Sequence, residues 1–300
     1  MSPRFLRVAA LFAFTVAAST AAQAQGMFRA YLASYGNDAN PCTVTAPCRL
    51  LPAALNAVAN RGQIWILDSA NFNQGTVNIT KFVSIQAVPG QIASIVAVNG
   101  APAILISNFA EVVLRNMAIS NNAVNPGTDG VEVSTGSVII ENSVLSDLPG
   151  KALNVHENFT RARLTDTAIR NSGYGIYATS GATVHAARVQ IANNAHSVYA
   201  YGKSGSYAYI YLTDSSVADT GLEAVGDGGT AFIQLTRVIT VMTAGLAATA
   251  TNAGNAQFQL DASSINGIAT ISGAGASIFS MGNNWIGGVS GGTISHYALQ

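Results

Sequence analysis

The residues best suited to chemistry recur every 22 to 24 positions along the middle of the chain. One column of equivalent positions contains Glu132, Asn154, Tyr177, Tyr199 and Glu223. The positions around that column add Asp129, Lys151, His156, Tyr174, His196 and Tyr201. If the chain winds so that these positions stack, acids, bases and aromatic rings meet on one surface, which indicates a catalytic site or a binding surface.

Four of these residues form the candidate catalytic set. His156 could act as a base, Lys151 could neutralise a negative charge and Glu132 could act as an acid, with Asn154 between them. Such a set would suit a polysaccharide lyase or a glycoside hydrolase. Histidines on exposed strands more often serve as polar surface residues, so the sequence favours a surface without catalysis and leaves the enzyme as the alternative.

The tyrosines form the candidate binding set. Seven of the ten tyrosines fall between residues 174 and 211. Tyrosine suits sugars because its ring packs against apolar C–H groups while its hydroxyl stays hydrated. The alternative is a ladder that only stabilises exposed strands, where cross-strand aromatic pairs are favourable. The predicted substrate-binding residues are Tyr174, Tyr177, Tyr199, Tyr201 and Glu223.

A further column alternates in charge and contains Asp166, Arg188, Asp214 and Arg237. Stacking would place the two aspartates about 9.6 Å apart, which is two strand spacings, and a pair of acids at that distance could hydrolyse a glycoside. An arginine between them would keep both carboxylates ionised, however, and a general acid must hold a proton. The pattern therefore favours an exposed ladder of ion pairs, each worth less than about 1 kcal/mol.

Composition and the positions of the histidines argue against several classes of ligand and partner. His185 and His296 lack carboxylate or cysteine neighbours at the spacing of metal ligands, so the sequence predicts no metal and no cofactor. Acidic and basic residues number 14 each, and charged residues make up 9% of the chain, which argues against a nucleic acid partner. Cys42 and Cys48 lie close together and are predicted to form a local disulfide in an oxidising compartment.

Three short apolar blocks recur in a fixed order and supply the strands that would position these residues. Each block alternates inward and outward side chains, as a strand with one buried face does. Equal coils stack each strand in parallel on its counterpart, which predicts an all-β, single-stranded right-handed parallel β-helix with three short strands per coil. An antiparallel sandwich fits the fixed block order poorly. The inward positions of the earliest and last copies are Val131, Val133, Ile268 and Thr270 for the first block, Val112, Leu114, Phe279 and Met281 for the second, and Ile119 and Ile286 for the third.

The ends of the chain differ from the coils. A basic start, a short apolar run and an Ala-x-Ala site predict a signal peptide that is cleaved after Ala24, so the protein would be secreted or periplasmic. No later segment has the length of a membrane span. A short helix over Leu51–Val58 is the predicted cover of the first open coil end, and Trp285 with Ile294–Leu299 is the predicted cover of the last one. The predicted segments are the signal peptide at 1–24, an N-terminal cap at 25–62, the coils at 63–286 and a C-terminal cap or tail at 287–300.

The sequence resembles the pectate-lyase-like superfamily of right-handed parallel β-helix proteins, and is most similar to a bacterial secreted branch of it. The resemblance is carried by a strand at 31–35, the Asn-Pro-Cys…Pro-Cys segment at 40–48, the helix that follows it and the coil repeats to about Ile286. It implies a polysaccharide lying along the outward face of the first-block strands. The Asn-Thr-Asp, Gly-His-Gly and Arg-Ile-Lys signatures of polygalacturonases and the Trp-Ile-Asp-His signature of pectate lyases are missing, so the resemblance implies the fold and no particular reaction.

Three functions follow from these observations. The favoured one is a secreted protein that binds a glycan or the cell envelope through the tyrosine-rich face without catalysis. The first alternative is a polysaccharide lyase or glycoside hydrolase acting on an acidic polysaccharide. The second alternative is a structural or adhesive surface rod, which the sequence favours less because no cell-wall anchor is apparent.

Overall fold

The computed structural model describes residues 26–241 and 245–296. The predicted signal peptide at 1–24 and the last four residues of the predicted tail lie outside the described residues. Within the described part, no helix is long and apolar enough to cross a bilayer. The described residues form a parallel β-solenoid, so the predicted fold class is confirmed.

The strands stack in three columns, and neighbours within each column run parallel. The first column contains β3 Val77–Ile79, β6 Ile104–Ile106, β9 Val131–Val133, β12 Lys151–Val155, β15 Tyr174–Thr179, β18 His196–Lys203, β21 Leu222–Asp227 and β24 Leu246–Thr251. The second contains β1 Met27–Leu32, β2 Val58–Ile66, β4 Val83–Ala87, β7 Ala110–Arg115, β10 Gly136–Glu141, β13 Arg161–Thr165, β16 Ala182–Ala187, β19 Tyr207–Thr213, β22 Thr230–Thr236, β25 Asn255–Asp261, β27 Ala276–Ser280 and β29 Ser295–His296. The third contains β5 Ala93–Ala97, β8 Met117–Asn121, β11 Val144–Ser146, β14 Ala168–Arg170, β17 Gln190–Ala192, β20 Ser216–Ala218 and β23 Ile239–Val241, while β26 Ser264–Ser272 and β28 Trp285–Ser290 run through the third column into the first.

One continuous apolar core fills the coils. Every second side chain of a strand points inward and stacks on the equivalent residue of the next coil, as Ile210, Ile233 and Phe258 do in the second column. All three are fully buried. Burying a side chain of this size contributes about 1.5–3 kcal/mol, so the repeated inward positions dominate stability and leave the outward positions free to vary.

A tight turn follows each second-column strand from β7 to β25. Its first residue has a positive φ in all seven coils. The left-handed backbone costs about 1–2 kcal/mol for most side chains, yet two arginines and an alanine also adopt it. In several coils the next residue is a buried serine whose hydroxyl donates to a strand carbonyl, as Ser215 Oγ does to Thr213 O at 2.7 Å, and this bond compensates part of the cost. The turn residues are Asn116, Asn142, Asp166, Arg188, Asp214, Arg237 and Ala262.

The N-terminal end is closed by a short helix, α1 Leu51–Ala57. Leu51, Leu55 and the following Val58 are buried against the first coils, as predicted, although Val58 already begins β2. The Cys42–Cys48 disulfide is present as predicted. The strand predicted at 31–35 lies earlier, at Met27–Leu32, because the Ala33 and Gly36 backbone amides bond outside the strand ladder.

The predicted register is wrong by one residue in the last coils. Ala269 and Ile271 point inward, whereas Ile268 is 60% exposed and Thr270 faces outward beside Ala247. A bulge between Ile265 and Ile268 shifts the strand, and the shift removes a polar threonine from the core.

The second column shows the same slip. Ile278 and Ser280 occupy the inward positions predicted for Phe279 and Met281, and Gly282 takes the positive φ of the turn. The Ser280 hydroxyl is satisfied because it accepts a hydrogen bond from Asn284 Nδ2 at 2.9 Å.

The predicted C-terminal cover is wrong for Trp285. Its side chain is 55% exposed on β28 and does not close the coil end. Ile294 does pack against the core, because the chain turns back there to add β29 to the second column. The segment from Ile294 runs beyond the described residues before it reaches Leu299.

Candidate functional site

The structure places the central residues of the candidate site in one outward column of the first strand column. Asn154 pairs with Glu132 in the preceding coil and with Tyr177 in the following one. Tyr199 pairs in the same way with Tyr177 and Glu223. The spacing of 22 to 24 residues therefore becomes vertical adjacency, at about 4.8 Å per coil.

Two pairs of parallel rings form the centre of this surface. The Tyr177 and Tyr199 rings stack with centroids 5.5 Å apart and planes 6° apart. Tyr174 and His196 stack beside them at 4.4 Å and 11°. Tyr174 also meets both Tyr177 and Tyr199 edge to face, at 5.3 and 5.4 Å. We call the surface formed by Tyr174, Tyr177, Tyr199 and Tyr201 the tyrosine face; its rings are half-buried and contact each other.

Burial changes the acidity of the central tyrosines. Desolvation, followed by the nearby Glu223 carboxylate, raises the pKa of Tyr199 to about 12. Burial also raises the pKa of Tyr177. Both phenols are therefore neutral hydrogen-bonding groups at physiological pH, which suits contact with sugar hydroxyls and not proton abstraction.

The two glutamates of the column lie at opposite ends of the tyrosine face. Four coils separate Glu132 from Glu223, which corresponds to about 19 Å. Glu132 Oε1 lies 3.0 Å from His156 Nε2, and Glu223 Oε1 lies 2.5 Å from His196 Nδ1. Paired carboxylates that hydrolyse glycosides are about 5–9.5 Å apart, so these two glutamates are too distant to act together.

His156 lies between two carboxylates that favour its charged form. Its two ring nitrogens face Glu132 and Glu157, at 3.0 and 3.5 Å. The hydrogen bond to Glu132 raises the pKa of His156, and the same bond lowers the pKa of Glu132. Both carboxylates favour the protonated ring, so the arrangement suits a general base less well than the sequence suggests.

The other two catalytic candidates are engaged by a buried acid. Asp129 Oδ2 accepts a hydrogen bond from the buried Asn154 Nδ2 at 2.8 Å, and Oδ1 accepts one from the Lys151 backbone amide at 2.8 Å. Lys151 Nζ lies 4.0 Å from the same carboxylate and 5.1 Å from the Tyr177 ring centroid. The structure thus brings the four candidate residues together. His156 pairs with Glu132, whereas Lys151 and Asn154 both contact Asp129.

The lower end of the tyrosine face has a partner that the sequence did not suggest. The Tyr201 hydroxyl donates to Asp227 Oδ2 at 2.9 Å. Hydrogen bonds from Asn252, Tyr201 and Thr251 lower the pKa of Asp227. The spacing from Tyr201 to Asp227 exceeds one coil, so this contact could be found only by following a long side chain diagonally across the sheet.

A depression of about 520 Å³ continues the outward column below the tyrosines, with Glu223, Ala247, Ile268 and Thr270 in its lining. Ala247 and Thr270 follow Glu223 in register, and their small side chains leave the space. The exposed Ile268, a result of the register shift, forms part of the wall. The tyrosine rings and this depression therefore form one continuous strip along the coil axis.

The charged turn column forms two separate ion pairs. The Arg188 guanidinium donates to both Asp166 oxygens at 2.7 and 2.8 Å, and Arg237 does the same to Asp214 at 2.5 and 2.9 Å. These bonds lower the pKa of each aspartate. The ladder interpretation is supported, since no proton is held where a general acid would need one. No group of three or more metal-ligating side chains converges within the described ranges.

Comparisons with known proteins agree with this geometry. A family model described as "Right handed beta helix region" matches residues 102–286. A search among curated proteins finds no match. Among solved structures, pectate lyase Pel9A superposes with a TM-score of 0.59 at 12% identity, over 90% of this chain and 78% of that one. The GH136 lacto-N-biosidase from Eubacterium ramulus superposes with a TM-score of 0.51 at 11% identity, over 90% and 68% of the two chains. At these identities the likeness concerns the fold alone.

Proposed function

The chain belongs to the right-handed β-helix family, and from that premise we propose that it is an exported protein that binds a glycan through the tyrosine face without cleaving it. The observation that carries the proposal is the parallel stack of Tyr177 on Tyr199, extended by Tyr174 and His196. Flat, half-buried rings in fixed positions offer apolar contact to sugar rings at little entropic cost.

The charges around the rings favour an uncharged glycan. Glu132 faces His156, Glu223 faces His196 and Asp129 faces Lys151. Because each acid has a cationic or ionisable partner, the face presents little unbalanced charge to a ligand. Sugar hydroxyls can bond to such paired groups without the desolvation penalty of an isolated charge.

Export fits the N-terminal sequence and the disulfide. The predicted signal peptide at 1–24 would direct the chain out of the cytoplasm. The Cys42–Cys48 bond persists in oxidising compartments. A secreted or periplasmic location would also place the tyrosine face where cell-envelope or environmental glycans are available.

The test is a glycan array followed by calorimetric titration of the best uncharged oligosaccharide. We expect the Tyr177→Ala/Tyr199→Ala variant to bind about tenfold or more weakly, because two ring contacts are lost. Tyr35→Ala is the matched control, since Tyr35 is 72% exposed in the N-terminal cap. Absence of binding on the array, or an equal affinity of the double variant, would count against the proposal.

A second candidate is cleavage of an acidic polysaccharide by a lyase or hydrolase. Lys151 and His156 lie at the end of the tyrosine face near Glu132, and a lysine with a histidine could neutralise a uronate there. Product formation from a uronic-acid polymer that is lost in His156→Ala would replace the binding proposal with this one. The structural or adhesive rod is the remaining alternative, and a protein that binds and cleaves no glycan would favour it.

A further inference from the structure

A second aromatic surface lies on the outward face of the second column, on the same coils that carry the tyrosine face. His185 and Tyr211 are cross-strand neighbours, and their rings stack at 4.6 Å with planes 7° apart. Tyr209 lies two residues before Tyr211 and packs against Phe232 edge to face at 6.1 Å.

Two arginines extend this surface into the preceding coil. Arg163 is the cross-strand neighbour of His185, and Arg161 lies two residues before it on the same strand. Both side chains are exposed, and neither has an acid as a cross-strand neighbour. In the part of the chain that the structure describes, neither forms an ion pair with a carboxylate. We call the surface formed by Arg161, Arg163, His185, Tyr209 and Tyr211 the arginine face.

Two carboxylates near this surface form ion pairs with other arginines. Asp166 binds Arg188, and Glu141 binds Arg115. Glu111 shares the column of Arg161 but lies two coils away, or about 10 Å. The two arginine charges therefore have no carboxylate close by. Burial, followed by these two charges, lowers the pKa of His185.

A groove of about 410 Å³ runs beside these residues. Arg163, His185 and Tyr211 border it on one side, and Thr165, Ala187 and Thr213 lie along the parallel column. The small side chain of Ala187 leaves the space between the columns. The groove thus combines a guanidinium group, an aromatic wall and threonine hydroxyls at the spacing of successive coils.

We propose that the arginine face is a second binding site, and that its ligand is a polysaccharide carrying carboxylate groups, such as a uronic-acid polymer. A guanidinium group binds a carboxylate through two parallel hydrogen bonds. The adjacent ring of Tyr211 supplies apolar contact for the sugar that carries it. A nucleic acid fits less well, because two arginines neutralise few of the phosphates along a strand.

The test is calorimetric titration of the purified full-length protein with oligogalacturonate. We expect Arg161→Gln/Arg163→Gln to bind at least about tenfold more weakly than the parent, because charge-assisted hydrogen bonds are lost. Arg170→Gln is the matched control, since Arg170 is an exposed arginine of the third column. The control and the Tyr177→Ala/Tyr199→Ala variant should keep the parent affinity, and thermal melting should show all variants folded.

Several outcomes would overturn the proposal. The parent protein would fail to bind oligogalacturonate, or Arg170→Gln would lose as much affinity as the double variant. Loss of oligogalacturonate binding in the tyrosine variant would assign that ligand to the other face. Tighter binding of oligothymidylate, lost in the arginine variant, would assign the surface to single-stranded nucleic acid.

Discussion

The tyrosine face and the arginine face are built on the same two coils but differ in charge. Tyr177 and Tyr199 stack in the first column, while His185 and Tyr211 stack in the second. Around the first pair the acids face histidines or a lysine, whereas beside the second pair the two arginines of the arginine face have no carboxylate partner among the described residues. The solenoid therefore supplies the spacing of aromatic rings on either face, and we propose that the outward residues of neighbouring coils determine which ligand charge each face would accept.

Both faces depend on the core beneath them, so the largest expected effect comes from truncating a side chain that points into the core. Ile140 is fully buried and the adjacent Ile139 faces outward on the same strand. We expect Ile140→Ala to lower the free energy of unfolding by about 2–5 kcal/mol, because it leaves a cavity. The same truncation at Ile139 should cost less than about 1 kcal/mol. Urea denaturation of both variants makes the comparison, and equal losses would contradict the register.

Reversing one charge should separate the faces more sharply than removing it. In Arg163→Glu the new carboxylate repels a uronate, so we expect oligogalacturonate affinity to fall about thirtyfold. Affinity for an uncharged glycan should stay within about twofold, because Tyr177 and Tyr199 lie on the other column. Titration of both ligands into this variant measures the difference. A parallel loss of both affinities would mean that the faces are not independent.

Salt should weaken ligand binding at the two faces unequally. Raising the ionic strength from about 0.05 to about 0.5 M shortens the Debye length severalfold. We expect this change to weaken uronate binding at the arginine face by about tenfold, because exposed charges carry it. Binding of an uncharged glycan at the tyrosine face should change by less than about twofold. Equal salt dependence in titrations of the two ligands would contradict the charge assignment.

The smallest expected effect is on the pH dependence of stability, which should differ between His156 beside the tyrosine face and His185 in the arginine face. The Glu132 hydrogen bond raises the pKa of His156, and burial with the arginine charges lowers that of His185. His156 therefore adds stability below about pH 6.5 that is lost as pH rises through its folded pKa, whereas His185 subtracts stability as pH falls below about 6.5. We expect His156→Gln to destabilise more at acid pH than at alkaline pH, and His185→Gln to do the reverse.

Nuclear magnetic resonance titration of the two imidazole rings measures this difference directly. The His156 ring should titrate above its ordinary pKa of about 6.5 and the His185 ring below it. An unchanged His156 pKa in Glu132→Gln would contradict the account, because that variant removes the main cause of the His156 shift. Melting curves of the two glutamine variants at several pH values provide the linked stability measurement.

The regular coils could be predicted from sequence because large apolar residues mark their inward positions. Val138, Val184 and Ile210 allow one register only, since a slip by one residue would expose them and bury polar neighbours. The columns of the tyrosine face follow from that register. The sequence therefore predicted that these rings meet on one surface.

The last coils could not be predicted in the same way. Residues 262–281 consist mostly of small residues, and Ile268 and Ile271 compete for the core in alternative registers. A local bulge at Asn266 and Gly267 decides between them. A glycine within a strand pattern indicates a bulge but does not give the register that follows it. The pairing of acids with histidines was also missed, because it depends on side-chain directions between coils and not on spacing alone.

The most direct test of two separate faces is a titration of the best uncharged glycan into protein that is already saturated with oligogalacturonate. The account predicts the same affinity for the uncharged glycan as in free protein, with one equivalent of each ligand bound together. Displacement of one ligand by the other, or a fall in affinity of about tenfold, would show that the two ligands share one surface and would contradict the account.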